Sequence, residues 1–536
     1  NLLMKKIYLF TFLLIIVSNI FAQDYQSLRV KEEYDLFSTI MVNNYSPQNK
    51  YYTKDFNTYH TKNDTNTITT FGEGISRILE SYITMYETTK DKAYLYKFLF
   101  QSLCLIEERP DNSIDNSKAP RWSFDPMIYL DGRILAALSR FVYFIEFIEP
   151  SLINEPIYQF DELKAEKYIP QSNYCNKFNI VFNTFGQFAH WLADRVIETL
   201  NWYINNGYWN DNCAFTKFPN INEAAEINMQ AGFSRALLYL GLCTNDSSYM
   251  AKANIIDQLL QSNIQFFDYC KFKKYNAPLF ILTNDNAYWW YDLGWYIPYH
   301  YCIIRSKSID GYTKYIEDIS HAVPVVEFLM DYYNYLPNTS LDLDDMVRLR
   351  NMFTKHIYDG KEGFFRSVMG TDNPVYPQYK LDYAALNYIP LYIYDGVDTT
   401  ATEPNVYEII LNFYKKYISK NSQIPKMPYF NGGLSIKGQA EIVKALWEKE
   451  TFNLTLYNRH ILYDQDFFAK NTLIVAPQQY DYLHSENDKS FADPIITDNK
   501  FIIDSGIKVN MHAKEKIILT SGTYIKEGSH FRAYVE

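Results

Sequence analysis

Glu317-Asp318-Ile319-Ser320-His321 gathers two carboxylates, a hydroxyl and an imidazole within five residues, just ahead of Pro324 and the apolar run Val325 to Tyr335. Carboxylates and imidazoles are the groups whose proton affinities burial and neighbouring charges move into the working range of acid–base catalysis. Proline is favoured in the first turn of a helix, so Pro324 predicts that the cluster lies on the loop entering that helix. A local use is equally physical: Asp318 or Ser320 can cap the helix while His321 bonds its neighbours. The two uses do not exclude each other. Glu317, Asp318 and His321 are the catalytic candidates.

Upstream lies Tyr288-Trp289-Trp290-Tyr291-Asp292-Leu293-Gly294-Trp295-Tyr296. Sugar rings have apolar faces edged by hydroxyls, and flat aromatic side chains match them with little entropy lost. Trp289, Trp290, Tyr291 and Trp295 are therefore candidate sugar platforms, with Asp292 placed to orient a hydroxyl. An aromatic core between hairpins is the alternative. Asp131 and Arg133 open another apolar run; Asp131 suits a helix N-cap, and Arg133 can meet a substrate carboxylate or an acidic neighbour. Asn228 can bind a hydroxyl, neutralise a uronate carboxyl or cap a helix, and Glu226 beside it is a second acid. Tyr383 matters if the reaction is an elimination, and His60 is a weaker candidate.

Other chemistries lack their motifs. No His-Glu-x-x-His phrase occurs and His321 has no second histidine at helical spacing, so no metal is expected. Glycine-rich phosphate loops are missing, so no nucleotide cofactor is expected, and Gly-x-Ser-x-Gly is missing too. The formal charge is -11 with no basic stripe, which argues against nucleic acid as a partner. It also disfavours a strongly anionic polymer, since steering would be repulsive. Six cysteines form no Cys-x-x-Cys pair; Cys104 and Cys243 sit in apolar helical patterns and read as buried thiols.

The elements that must position these residues are helices. Ile75, Ile78, Leu79, Tyr82, Ile83 and Tyr86 follow the spacing of a one-faced helix, as do Ile134, Leu135, Leu138, Phe141, Val142 and Ile145, and Phe188, Leu192, Val196, Leu200 and Tyr203. From about Thr70 to Leu411 no strand is expected. One phrase is echoed: Ser76-Arg77-Ile78-Leu79 leads to Thr89-Lys90-Asp91 and Tyr94, and Ser234-Arg235-Ala236-Leu237 leads to Thr244-Asn245-Asp246 and Tyr249. Each reads as a helix, a turn whose aspartate caps the next helix, and a second helix with its tyrosine packed back across the hairpin. Repeated αα-hairpins bury their faces against their neighbours.

With Asn228-Met229-Gln230-Ala231-Gly232 opening the second copy, this phrase resembles the six-hairpin (α/α) toroids of carbohydrate-active enzymes over roughly residues 60 to 450. The resemblance implies a mainly α fold and an extracellular poly- or oligosaccharide as substrate. It leaves the reaction open, because that superfamily holds hydrolases, lyases and an epimerase.

The ends complete the plan. Met4-Lys5-Lys6, the apolar run Ile7 to Ile20 and Phe21-Ala22 form a signal-peptide pattern over 4–22, a retained anchor being the alternative. The run of about 14 residues is short of the roughly 20 that span a bilayer. No later segment reaches that length, so a secreted or envelope protein without a membrane span is expected. The toroid is assigned to 23–450, a β-rich connection to 451–494, and a module of short strands joined by glycine turns to 495–536. That last module resembles the coat-hanger modules of bacterial surface proteins. Two functions follow. One is a glycan hydrolase or lyase, with modest basic content favouring hydrolysis; the other is a non-catalytic glycan-binding or scaffold protein.

Overall fold

The computed structural model describes residues 26–44, 70–107, 109, 119–123, 128–157, 182–216, 218–220, 224–244, 246–261, 263–268, 273–290, 317–370, 380–397, 405–419, 429–449, 454–456, 459–461, 464–469, 472–475 and 500–535. The chain is mainly helical with small sheets. The segment 4–22, His60, Tyr291, Asp292 and Trp295 lie outside the described residues.

The helices are α1 (Gln26–Asn44), α2 (Ser76–Thr89, entered by the π-turn Thr70–Ile75), α3 (Ala93–Glu107), α4 (Ile128–Tyr143), α5 (Phe185–Tyr203), α6 (Ile227–Cys243), α7 (Ser247–Leu260), α8 (Ile319–Tyr335) and α9 (Leu343–Asn351). A segment wound as a 3-10 helix (Lys380–Tyr394), α10 (Val406–Phe413) and α11 (Tyr429–Lys449) follow. Both echoed hairpins form, α2/α3 and α6/α7. Asp91 accepts from the Ala93 amide and Asp246 from the Ser248 amide, so each aspartate starts its second helix. Tyr94 and Tyr249 are buried, their hydroxyls bonded to Asp35 and Asn201.

Contacts between helices run in a circuit. α2 packs on α4, α4 on α6, α6 on α8, α8 on the 3-10 segment, that segment on α11, and α11 on α2. Outside it, α3 lies on α2, α5 on α4, α7 on α6, α9 and α10 on the 3-10 segment, and α1 on α11. Glycine permits the tightest approach: a Cβ on Gly232 would meet the Gly132 carbonyl carbon at 2.3 Å, so α6 and α4 touch backbone to backbone.

The apolar spacing of α4 and α5 buries as expected. α2 differs from the one-faced helix its spacing implies. Ser76, Arg77, Glu80 and Thr84 are buried too, because the face away from α3 looks into a polar axis inside the circuit, while Ser81 is buried against the Tyr34 hydroxyl of α1. There Arg235 meets Glu80 at 2.6 Å, Asp331 at 2.5 Å and Glu327 at 3.2 Å; Arg77 pairs with Glu327 and Lys437 with Glu80 and Glu327. Buried charges persist only when paired, and these are paired among four helices.

Strands also interrupt the helical region, contrary to the pattern reading. β1 (Trp209–Asn210) pairs with β2 (Ala214–Phe215), β3 (Asn263–Asp268) with β4 (Lys273–Pro278), and β5 (Ile281–Leu282) with β6 (Tyr288–Trp289), all antiparallel. These hairpins are too short for a strand period to stand out among the helical ones.

The C-terminal part is one parallel unit. β7 (Leu454–Leu456), β8 (Arg459–Ile461) and β9 (Gln465–Ala469) form a first rung. β10 (Thr472–Val475), β11 (Phe501–Ile503) and β12 (Lys508–Ala513) form the second, and β13 (Lys516–Leu519), β14 (Thr523–Ile525) and β15 (His530–Val535) the third. Three sheets ordered β13-β10-β7, β14-β11-β8 and β15-β12-β9 make its sides. Every sheet therefore draws strands from both sides of the division placed at 494. Phe468, His512 and Tyr534 stack in register, 4.7 Å apart. Gln465 ties the first rung to the helices: it accepts from the Lys92 amide and donates to the Lys90 carbonyl, both at 2.9 Å.

Candidate active site

α8 begins five residues before Pro324, so the acid–imidazole phrase is divided by the helix end rather than lying wholly on a loop. Glu317 and Asp318 precede the helix, and Ser320 and His321 belong to its first turn. Two extended segments clamp the entry. The Glu317 amide donates to the Trp290 carbonyl at 3.1 Å, the Glu317 carbonyl accepts from Val368, and the Ile319 amide donates to Arg366. Tyr388 adds a fourth tie, its buried hydroxyl donating to the Ile319 carbonyl at 2.8 Å. No spacing in the sequence pointed to Tyr388.

Asp318 is the N-cap. Its Oδ1 accepts from the Ser320 amide at 2.8 Å and the His321 amide at 3.1 Å, while Oδ2 lies 2.9 Å from His321 Nδ1. Burial opposes the Asp318 charge, but the His321 contact and the Ser320 hydrogen bonds outweigh it and hold the carboxyl well below the usual carboxylate range. The His321 side chain is 44% exposed. With Nδ1 facing Asp318, Nε2 is the nitrogen left for proton exchange with a substrate.

Glu317 is fully buried. Asn228 Nδ2, from the first turn of α6, donates to both its oxygens at 3.2 and 3.3 Å, and His321 Nδ1 lies 3.8 Å away. Glu226, immediately before α6, brings another carboxylate to the same end of the circuit. Arg133, in α4, pairs with Glu73 from the Gly72-Glu73-Gly74 turn that leads into α2. Burial pulls the Arg133 guanidinium down to about 10, although Glu327, Glu317 and Asp318 counter the loss. Glu73 had no signal beyond its two flanking glycines. A Cβ on Gly433 would meet the Glu73 carbonyl at 2.5 Å, so the start of α11 presses on this turn.

The remaining candidates separate. Asp131 lies one residue beyond the first three of α4, not at its N-cap. Fully buried, it accepts from the Trp122 and Ser123 amides at 3.0 and 3.2 Å and from the Tyr203 hydroxyl, which fixes the preceding loop. Burial raises its carboxyl pKa. Trp290 is fully buried and packs edge-on against Phe280 at 5.5 Å, so its indole is wall rather than platform. Trp289, its neighbour on β6, is half-buried. Tyr383 is buried in the 3-10 segment.

Donor atoms of Glu317, Asp318 and His321 lie within 4.8 Å of one another, close enough to share a cation. The surroundings oppose one: the trio sits at a helix N-terminus, whose partial charge is positive, and Arg133 faces it. The arrangement is suited to moving a proton between Asp318, His321 and a group outside. Cys213 and Cys243 are free; Cys213 is buried and Cys243 half-buried, its thiol pushed up to about 12 by burial and Glu146. Among the described residues, no helix is long and apolar enough to cross a membrane. No family model, curated protein or solved structure matches the chain.

Proposed function

We propose that this is an exported carbohydrate-active enzyme built on an (α/α) toroid, cleaving an extracellular uronate-containing glycan by proton abstraction. The toroid reading rests on the helical circuit, with α3, α5, α7, α9, α10 and α1 as its outer layer. The observation that carries the chemistry is the Asp318–His321 pair, 2.9 Å apart, with the imidazole half open at the end where Asn228, Glu226 and Arg133 gather. Asp318 orients the ring and stabilises the imidazolium that forms once Nε2 takes a proton.

In an elimination, Nε2 removes the proton beside the uronate carboxyl, the double bond forms, the glycosidic C–O bond breaks, and the leaving oxygen takes a proton. Arg133, whose charge acts on Glu317 and Asp318, offsets part of the acidic charge that a uronate carboxyl would meet there. Hydrolysis fits less well. It needs two carboxyls beside the substrate, about 6.5 to 9.5 Å apart for inversion, one of them protonated. Asp318 is held ionised, Glu317 is fully buried, and Asp131, whose pKa is raised, is committed to its loop.

A non-catalytic glycan-binding protein is the second reading, favoured by the complete burial of Glu317 and by the capping role of Asp318. A panel of neutral and uronate glycans separates the readings. Elimination gives new reducing ends together with the ultraviolet absorbance of unsaturated uronates. Hydrolysis gives reducing ends alone. A binder gives neither and is retarded on a polysaccharide affinity gel. Loss of both signals in His321→Ala, with an unchanged melting curve, is the expected result; full turnover in that variant rejects the site.

A further inference from the structure

Inside the helical circuit lies a cavity of about 10 Å³, lined by Arg77, Arg133, Arg235, Glu80 and Glu327 among others. That is room for one water-sized guest. Arg77 directs Nη1 to both oxygens of Glu327 at 2.9 and 3.0 Å, but its Nε and Nη2 are buried with no hydrogen-bond partner among the described residues. Arg133 Nε is buried and unpartnered likewise. The two side chains are 3% and 5% exposed, so bulk water does not satisfy them. A guanidinium only donates. Unmet buried donors around a space of atomic size require an acceptor.

We propose that this cavity binds one small monatomic anion, chloride under ordinary conditions, held by N–H groups of Arg77 and Arg133. Three guanidinium groups and two carboxylates line the space, and Glu73, Asp331 and Lys437 pair with groups of that lining. The cations of this cluster govern its carboxylates. Burial favours the neutral forms of Glu80 and Glu327, yet Arg235, Lys437, Arg140 and Arg77 hold Glu80 ionised, and Lys437, Arg77 and Arg235 do the same for Glu327. An anion accepts from every donor and returns none. A water accepts about two and must itself donate, and its natural acceptor is the unpartnered Glu73 Oε2. That bridging water is the competing occupant. The proposal does not depend on the carbohydrate reading.

Crystals of the full chain grown in sodium bromide test it. The expected result is an anomalous bromine peak within hydrogen-bonding reach of Arg77 Nε and Nη2 and Arg133 Nε. At fixed ionic strength, replacing gluconate by chloride or bromide raises the melting temperature of the wild type but not of Arg77→Lys, which keeps the charge and removes two donors. Water density without anomalous signal in the cavity overturns the proposal. So does identical melting of the wild type in gluconate and bromide, a readout that needs neither a variant nor a crystal.

Discussion

Asp318 divides its two oxygens between structure and chemistry: Oδ1 accepts the Ser320 and His321 amides that begin α8, and Oδ2 stands 2.9 Å from His321 Nδ1. One carboxylate thereby fixes the helix end and the imidazole on it. The two roles are separable by substitution.

Asp318→Asn keeps a good cap, because asparagine caps as well as aspartate, while Asp318→Ala loses it. Calorimetry should show Asn within a few tenths of a kcal/mol of wild type and Ala lower by about 1 kcal/mol. Both variants should lower the His321 pKa, followed by imidazole proton shifts in NMR, since the facing charge is gone. An unmoved His321 titration in Asp318→Asn would show that the pair carries no electrostatic coupling.

Acid should weaken the fold in a definite direction. Asp318, Glu80 and Glu327 all titrate below their ordinary values when folded, so the unfolded chain binds protons first. Their contribution is complete above the unfolded carboxylate pKa, about 4, and is lost progressively as pH falls toward the folded values. Asp131 acts oppositely: its raised pKa favours folding below its unfolded value, and that gain is lost as pH rises through the folded value. Asp35, Glu87, Asp246, Asp285 and Glu362 are depressed as well, so the lowered carboxylates outnumber the one raised and melting temperatures should fall steadily below about pH 4. Flat melting across that range would mean the axial carboxylates are not charged in the folded protein.

Arg235 joins Glu80, Asp331 and Glu327 across three helices. Replacing it by methionine keeps bulk but strands buried carboxylates, a loss of about 3–5 kcal/mol. Urea denaturation reads it. A loss under 1 kcal/mol would mean that water reaches the axis.

Two glycines give a paired test. Gly232→Ala drives a methyl into the Gly132 backbone, where nothing can give way, and should cost upwards of about 3 kcal/mol or prevent folding. Gly360→Ala meets no atom within 4 Å and pays only for its positive φ of +74°, about 1 kcal/mol. Equal melting temperatures for the two variants would contradict the backbone contact between α4 and α6.

Local features were legible and distant partnerships were not. The turns at Asp91 and Asp246 could be read because cap and helix are neighbours in the chain, within two residues. Asp318 could be read as a cap for the same reason. The echoed Ser-Arg phrases were visible, but not that Arg77 reaches Glu327, 250 positions away, or that Arg235 reaches Glu80, 155 positions away. The tryptophan-rich phrase was visible as composition, yet composition cannot say which ring at the end of a two-residue strand turns inward. Trp290 turned into the core and Trp289 did not. In the C-terminal part the glycine turns marked short strands, but the parallel register that joins Asp466 to Asn510, 44 positions later, left no local trace.

The sequence by itself therefore determined the helical periodicities, the caps at Asp91, Asp246 and Asp318, the hairpin echo and the identity of the acid–imidazole phrase, because those depend on dihedral preferences and on groups within one turn of one another. Tertiary structure alone decided which charges face one axis, which tryptophan is wall, and that Asn228 meets Glu317. Such pairings are set by the packing of whole helices. Their energy depends on burial and on partners that no short stretch of chain contains.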